Sequence, residues 1–173
     1  GLPSRDKDPK EHLRILFDIA SKYNLPVDVH VDQLNSPYEK ETELLLDVKK
    51  ECNFNNRTNA VHSISLSCNP DSYQEYIANR LCSQNVGVII CPSAALSMKP
   101  INSLGTYTRI HNSIAPIMIL KKHNVKMALG IDNIHDLFMP LVDGDMWFES
   151  RLLMEAARCY DLDFISDIAT TYI

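Results

Sequence analysis

Glycine is scarce, with five residues in 173. Gly1, Gly87, Gly105, Gly130 and Gly144 stand too far apart for either a G-x-G-x-x-G or a Walker A loop, so the usual glycine-built phosphate cradles are excluded. Cysteine is sparse and odd in number. Cys52, Cys68, Cys82, Cys91 and Cys159 show no C-x-x-C spacing, which argues against a disulfide framework or a thiolate zinc knuckle and fits a reducing, cytoplasmic compartment. Positive charge is in deficit: Lys plus Arg number 17 against 22 Asp plus Glu, a net charge of −5. No basic surplus exists to neutralise a phosphate backbone, so no nucleic-acid partner is expected. The longest apolar runs, 86–90 and 114–120, fall far short of the ~18 residues of a membrane span. The opening residues do not read as a signal peptide, and no membrane partner is expected.

What is present suffices for a core. Hydrophobic residues make up 45% and charged residues 23%, an ordinary globular balance over roughly one domain's length. The chain opens on Gly1-Leu2-Pro3 and closes on Thr171-Tyr172-Ile173 in what reads as mid-helix, so residues 1–173 are expected to be a piece of a longer single domain.

Two helix starts carry the same chemistry. Asp8-Pro9-Lys10-Glu11 and Ser36-Pro37-Tyr38-Glu39 each offer a capping oxygen, a proline at the first helical position and a glutamate at the third; Asn69-Pro70-Asp71 is a weaker third copy. Apolar residues then recur at helical spacing: Leu13, Leu16, Phe17, Ala20; Leu44, Leu45, Val48; Tyr73, Ile77, Leu81. Between them lie β-branched runs at 27–31, 60–66, 86–90 and 125–131. Helical patterns at 114–123 and 146–160 flank the last of these. Four parallel strands alternating with helices follow, an α/β fold. Four units make either a small open sheet or half of a (β/α)8 barrel, which takes about 250 residues.

Polar side chains gather where the strands end: His30 on the first, His62 on the second, Cys91 after the third and Asp132 after the fourth. In a parallel barrel all such ends open on one face. Two imidazoles and a carboxylate there would suit a borderline divalent metal; taken singly, His30 or His62 reads equally well as a buried structural histidine, and Asp132-Asn133 as a turn cap.

The motifs add a specific likeness. Asp28-Val29-His30-Val31-Asp32-Gln33 resembles the fifth-strand H-x-D-E motif of cytosine deaminases in the amidohydrolase superfamily. Ala60-Val61-His62-Ser63 resembles their sixth-strand histidine segment, and Gly130 through Asp132-Asn133-Ile134-His135-Asp136 to Pro140, then Asp143-Gly144-Asp145-Met146, their eighth-strand region. Gly1-Leu2-Pro3-Ser4-Arg5-Asp6 is similar to the loop leaving the fourth strand. The resemblance implies the C-terminal half of a (β/α)8 TIM-type barrel and a hydrolase of C–N bonds in cyclic amidines or amides, with a small heterocyclic substrate and a zinc or iron ion. It implies that His30 and Asp132 hold the metal. Asp132 would also be the general base that deprotonates the attacking water, with His62 orienting that water. Asp32, Asn133 and His135 would position the ligands.

Two features depart from that family. Gln33 occupies the catalytic position where a glutamate is usual, and an amide cannot shuttle a proton. The H-x-H ligand pair of the family's first strand has no counterpart anywhere in the sequence, so the isolated chain is expected to be inactive and to bind metal weakly. Alternatives are a degenerate, non-catalytic barrel that binds a heterocycle, or a structural α/β domain. Cys91 reads as a small buried thiol, Trp147 with Met146 and Leu153 as core, and His111, Asn112 and the 93–108 segment as pocket lining or surface loop. Two open strand edges predict a homo-oligomer.

Overall fold

The computed structural model describes residues 1–97, 110–171 and 173. Four strands, β1 (Val27–Val31), β2 (Thr58–His62), β3 (Val86–Ile90) and β4 (Met127–Leu129), form one parallel sheet in sequential order. Strand alternation divides β1 between two faces. Val27, Val29 and Val31 are buried under helices, whereas Asp28 and His30 point to the other side.

Helix α1 (Pro9–Tyr23) begins as its sequence predicts. The Asp8 carboxylate accepts the backbone N–H groups of Lys10 and Glu11 at 3.1 and 3.0 Å, and proline opens the first turn. Its inner stripe buries Leu13, Phe17 and Ala20, and Phe17 packs on Phe54 with ring centroids 4.7 Å apart. Burying a side chain of that size contributes about 1.5–3 kcal/mol. The same core takes in Leu45 and Leu46, Ile77 and Leu81, Leu120, Leu153, Ile165 and Ile168. These come from α2 (Glu41–Glu51), α3 (Asp71–Ser83), α5 (Ile117–Lys122), α6 (Met146–Ala157) and α7 (Leu162–Thr170). A short α4 (Pro92–Ser97) follows β3.

Several boundaries differ from the sequence reading. Ser36 does not cap the second helix; residues 36–39 close a turn, with Glu39 N–H donating to the Ser36 carbonyl at 3.1 Å. Helix α2 starts later because the buried Asp32 carboxylate takes the N–H groups of Glu41 and Thr42 at 2.7 and 3.3 Å, while the Glu41 carboxylate accepts Asp32 N–H at 3.0 Å. This is a capping box closed across a loop. The second strand stops at His62 rather than running to 66, since His62 and Ser63 both take positive φ and the chain turns into a 3₁₀ helix at Ile64–Cys68. Helix α4 falls in a segment whose small and polar residues gave no helical periodicity. Trp147 is 71% exposed rather than core, although Leu153 of the same stripe is fully buried. The final helix closes at Thr170, with Thr171 extended.

The sheet's other face is partly clad. Val61, Cys91, Ala94 and Met139 cluster there with Ile89 and Val142, and the outer edge of β1 is partly paired. Gly1 N–H donates to the Asp28 carbonyl at 2.7 Å and its carbonyl accepts His30 N–H at 2.8 Å. Gly130 must lack a side chain, because a Cβ would stand 2.9 Å from Ile89 and 3.1 Å from Cys91. That close approach brings the turn after β4 against the end of β3. No helix among the described residues is long and apolar enough to cross a membrane.

Candidate metal centre

His30, His62 and Asp132 come from three different strand ends and meet. His30 Nδ1 lies 3.0 Å from His62 Nε2, and His62 Nε2 lies 3.6 Å from an Asp132 carboxylate oxygen. One potential ligand atom from each lies within 4.8 Å of the others. Three local features aim them. His30 occupies the β1 register position opposite Val61, on the face away from the helices. His62 (φ 77°) and Asp132 (φ 62°) both sit in the left-handed region, which for such residues costs on the order of 1–3 kcal/mol and persists only when surrounding structure enforces it.

Burial governs the electrostatics. It pulls His30 below its ordinary value, an effect opposed by the Asp132 carboxylate, and drops His62 to about 4, with His30 acting in the same direction. Burial also pushes Asp132 up, against the opposing influence of His30. Both imidazoles are therefore neutral at pH 7, with lone pairs available. A divalent zinc or iron ion fits this donor set of two neutral imidazoles and one carboxylate. The fold itself makes little use of His62. Its Nδ1 is buried without a hydrogen-bond partner among the described residues.

The other sequence candidates lie nearby but do not join the three. Gln33 is half-buried and makes no hydrogen bond to them among the described residues. Asp32 is spent on the N-terminus of α2. Asn133 donates to Asp136, and His135 Nδ1 lies 3.1 Å from the Pro140 carbonyl, so both shape the loop after β4. Cys91 is buried, its thiol pushed up by burial and by the nearby carboxylates of Asp132 and Glu149, as suits an inert packing residue. Of the 93–108 segment, residues 98–108 lie outside the described residues.

Two polar groupings escaped the sequence reading. The buried Glu149 of α6 accepts from both the backbone N–H and the hydroxyl of Ser93, at the start of α4. Cys68 Sγ stands 3.4 Å from Asn35 Oδ1 and 3.3 Å from His111 Nε2. His111 Nδ1 accepts Ser113 N–H at 3.0 Å, and Asn35 donates to the Ser113 hydroxyl at 2.8 Å. With Nδ1 accepting, the neutral His111 carries its proton on Nε2 and donates toward sulfur, so this ring fastens the 110–113 segment to the segments that follow β1 and β2. Neither grouping has a periodic signature; only the polar character of the residues hinted at them.

Comparison with known proteins places the architecture. No family model matches the chain. An uncharacterised protein of Haemophilus influenzae is 32% identical over 120 residues, 67% of this chain, and the chain spans only 42% of that protein's length. Among solved structures, 5-methylcytosine deaminase from Klebsiella pneumoniae with bound 5-fluorocytosine superposes at a TM-score of 0.84 and 18% identity. The match covers 98% of this chain and 42% of that one. N-isopropylammelide isopropylaminohydrolase from Burkholderia multivorans gives 0.75 at the same identity, covering 98% and 41%. At 18% identity these likenesses speak for the fold: four parallel strands alternating with helices, matching part of a larger amidohydrolase barrel.

Proposed function

We propose that this chain is the strand-five-to-eight portion of a metal-dependent hydrolase that cleaves C–N bonds of cyclic amidines or amides, in the manner of a cytosine deaminase. The meeting of His30, His62 and Asp132 carries this reading. His30 and Asp132 would hold the ion, which when bound supplies a water acidic enough to react near neutrality. Asp132, its carboxylate raised by burial, is suited to take a proton, since a base works best with its pKa near the working pH. Gln33 can donate a hydrogen bond to a ring but cannot carry a proton, which favours substrates whose leaving group needs no acid at that position. The apolar cluster around Val61, Ile89 and Met139, on the face of the sheet that also carries His30, suits a flat heterocycle.

The test is ammonia release from a panel of pyrimidines and triazines by the native gene product with zinc or ferrous iron. Turnover of at least one ring is expected, with Asp132→Ala lowering it by about 10²-fold or more, while the isolated 173 residues give none. Silence across the panel, or turnover indifferent to Asp132→Ala, overturns the reading.

A further inference from the structure

The proposed chemistry draws on the ends of β1, β2 and β4 and gives the end of β3 no part, although two buried groups with polar atoms meet there. Cys91 follows β3, and Glu149 of α6 reaches the same strand end through Ser93. Neither is a ligand or a base in the reading above. We propose that Cys91 is a positioning residue for Asp132: its sulfur receives the backbone N–H of Asp132 and packs against Gly130, and so fixes the rotation that aims the carboxylate. This inference rests on the role given to Asp132 in the hydrolase reading and adds a residue to it.

The turn that leads from β4 to Asp132 has few fastenings. Gly130 N–H donates to the Ile90 carbonyl at 2.8 Å, which carries the pairing of β3 and β4 one residue beyond the strand. Among the described residues no backbone carbonyl accepts the Asp132 N–H. That N–H bonds instead to the Cys91 sulfur. The sulfur also lies against the turn, since a Cβ on Gly130 would stand 3.1 Å from it, inside ordinary van der Waals contact. The lack of a side chain at position 130 is thus what lets the thiol come close enough to serve the residue two places on. Asp132 holds φ 62°, a conformation that persists only with support from its surroundings. A backbone N–H in a half-buried turn needs an acceptor as well. The thiol answers both needs, weakly as an acceptor and directly as a packing surface.

A group that positions another must itself be fixed. Cys91 packs with Val61, Ala94 and Met139, and its carbonyl accepts the N–H of Ala95 at 2.9 Å. Two residues further on, the Glu149 carboxylate accepts the backbone N–H of Ser93 at 3.0 Å and the Ser93 hydroxyl. A buried carboxylate is costly to keep, and this one is spent on tying α6 to the end of β3. Through Ser93, α6 holds that strand end; through Cys91, the strand end holds Asp132.

The experiment compares Cys91→Ala with Cys91→Ser in the native gene product. Both remove the sulfur, and only serine keeps an acceptor. If packing alone mattered, serine would be the worse of the two, because it buries a hydroxyl among Val61, Ala94 and Met139. Positioning reverses that order. On a ring that the wild-type protein turns over, Cys91→Ala should lower kcat by about 10-fold, the lower end of the loss when a group supporting a ligand is removed, with KM within about twofold of wild type. Cys91→Ser should recover part of the loss. Hydrogen exchange at the Asp132 amide, read by mass spectrometry with electron-transfer fragmentation, needs no turnover. It should be slower than at Asn133 and Ile134 in wild type, faster in Cys91→Ala and slowed again in Cys91→Ser. Wild-type kcat in Cys91→Ala, or a serine variant no better than alanine in both readouts, overturns the inference and leaves the hydrolase reading standing. Should either variant fail to fold by circular dichroism, exchange in the unaltered protein decides: a slow Asp132 amide supports the bond to sulfur, and one as fast as its neighbours overturns it. A wild-type protein silent across the panel sinks the hydrolase reading and takes this inference with it.

Discussion

The two ends of the sheet turn the chain by the same backbone conformation and reach it with different residues. Where helices lead into strands, the left-handed positions are Asn24, Asn53, Asn85 and Asn124. Asparagine visits that region at little cost, and three of these turns are closed by a hydrogen bond of the Schellman type: Leu25 N–H to Ala20, Phe54 N–H to Lys49 and Val125 N–H to Leu120, at 2.9–3.0 Å. Where strands lead out, the left-handed positions include Asp32, His62, Ser63, Asp132 and His135. Four of these are carboxylates or imidazoles, and two of the four, His62 and Asp132, meet in the candidate metal centre. The lower turns are built from residues that suit the geometry, the upper ones from residues that suit chemistry and are held in place by their surroundings. Strain of this kind is maintained at sites because the rest of the fold over-determines it.

If that contrast is right, substitutions of opposite character at the two ends change stability in opposite directions. The largest effect is expected from Asn124→Val at the lower end. A β-branched side chain at φ 55° clashes with its own backbone, and about 2 kcal/mol of stability should disappear, read as a lower urea midpoint. Asn124→Gly should stay within a few tenths of a kcal/mol of wild type. Equal losses from both would mean that the asparagine side chain, and not its tolerance of the conformation, supports the turn.

At the upper end the sign reverses. Asp132→Asn replaces a half-buried carboxylate with a neutral isostere that accepts φ 62° more readily. Stability should rise by about 1 kcal/mol, read as a higher urea midpoint. A variant no more stable than wild type would show that the turn after β4 stores no strain, and the two ends would then differ only in chemistry.

This division also explains what could be read from the sequence. Periodicity reports burial against a continuous surface, and so α1, α3, β1 and β3 were legible from Leu13, Phe17, Ile77, Leu81 and the valine runs. It is silent where a polar side chain fixes an element from a distance. Asp32, four residues ahead of Ser36, sets the start of α2. The positive φ of His62 and Ser63 ends β2 where its apolar sequence would have continued. Within the site, His30, His62 and Asp132 were nameable because strand ends on one face converge by topology. The separations among the three depend on backbone rotation at positions 62 and 132. No spacing rule encodes those rotations. Trp147 failed for a simpler reason: a helical stripe marks a face, and only the structure says what that face meets.

The smallest predicted effect concerns the clasp between Asp32 and Glu41, where the upper end is fastened to the helical layer. Burial pushes both carboxyls up to about 7, against the backbone N–H groups that favour their charged forms. In the unfolded chain both would titrate near 4. Between roughly pH 4 and 7 the folded state therefore binds more protons than the unfolded state. Stability must fall as pH rises through that window, and be highest, for these groups, below it. Glu41→Gln keeps an oxygen to accept Asp32 N–H but removes one of the two titrations. Urea midpoints measured from pH 4.5 to 8 should decline less steeply in the variant than in wild type. Because part of the Glu41 side chain's surroundings reaches solvent, the difference between the two curves should stay below about 1 kcal/mol at neutral pH. A wild-type curve that rises over this range would mean the N–H groups at the start of α2 outweigh burial. The clasp would then act as a charged cap like Asp8 on α1, and the upper end would be less unlike the rest of the molecule than its backbone suggests.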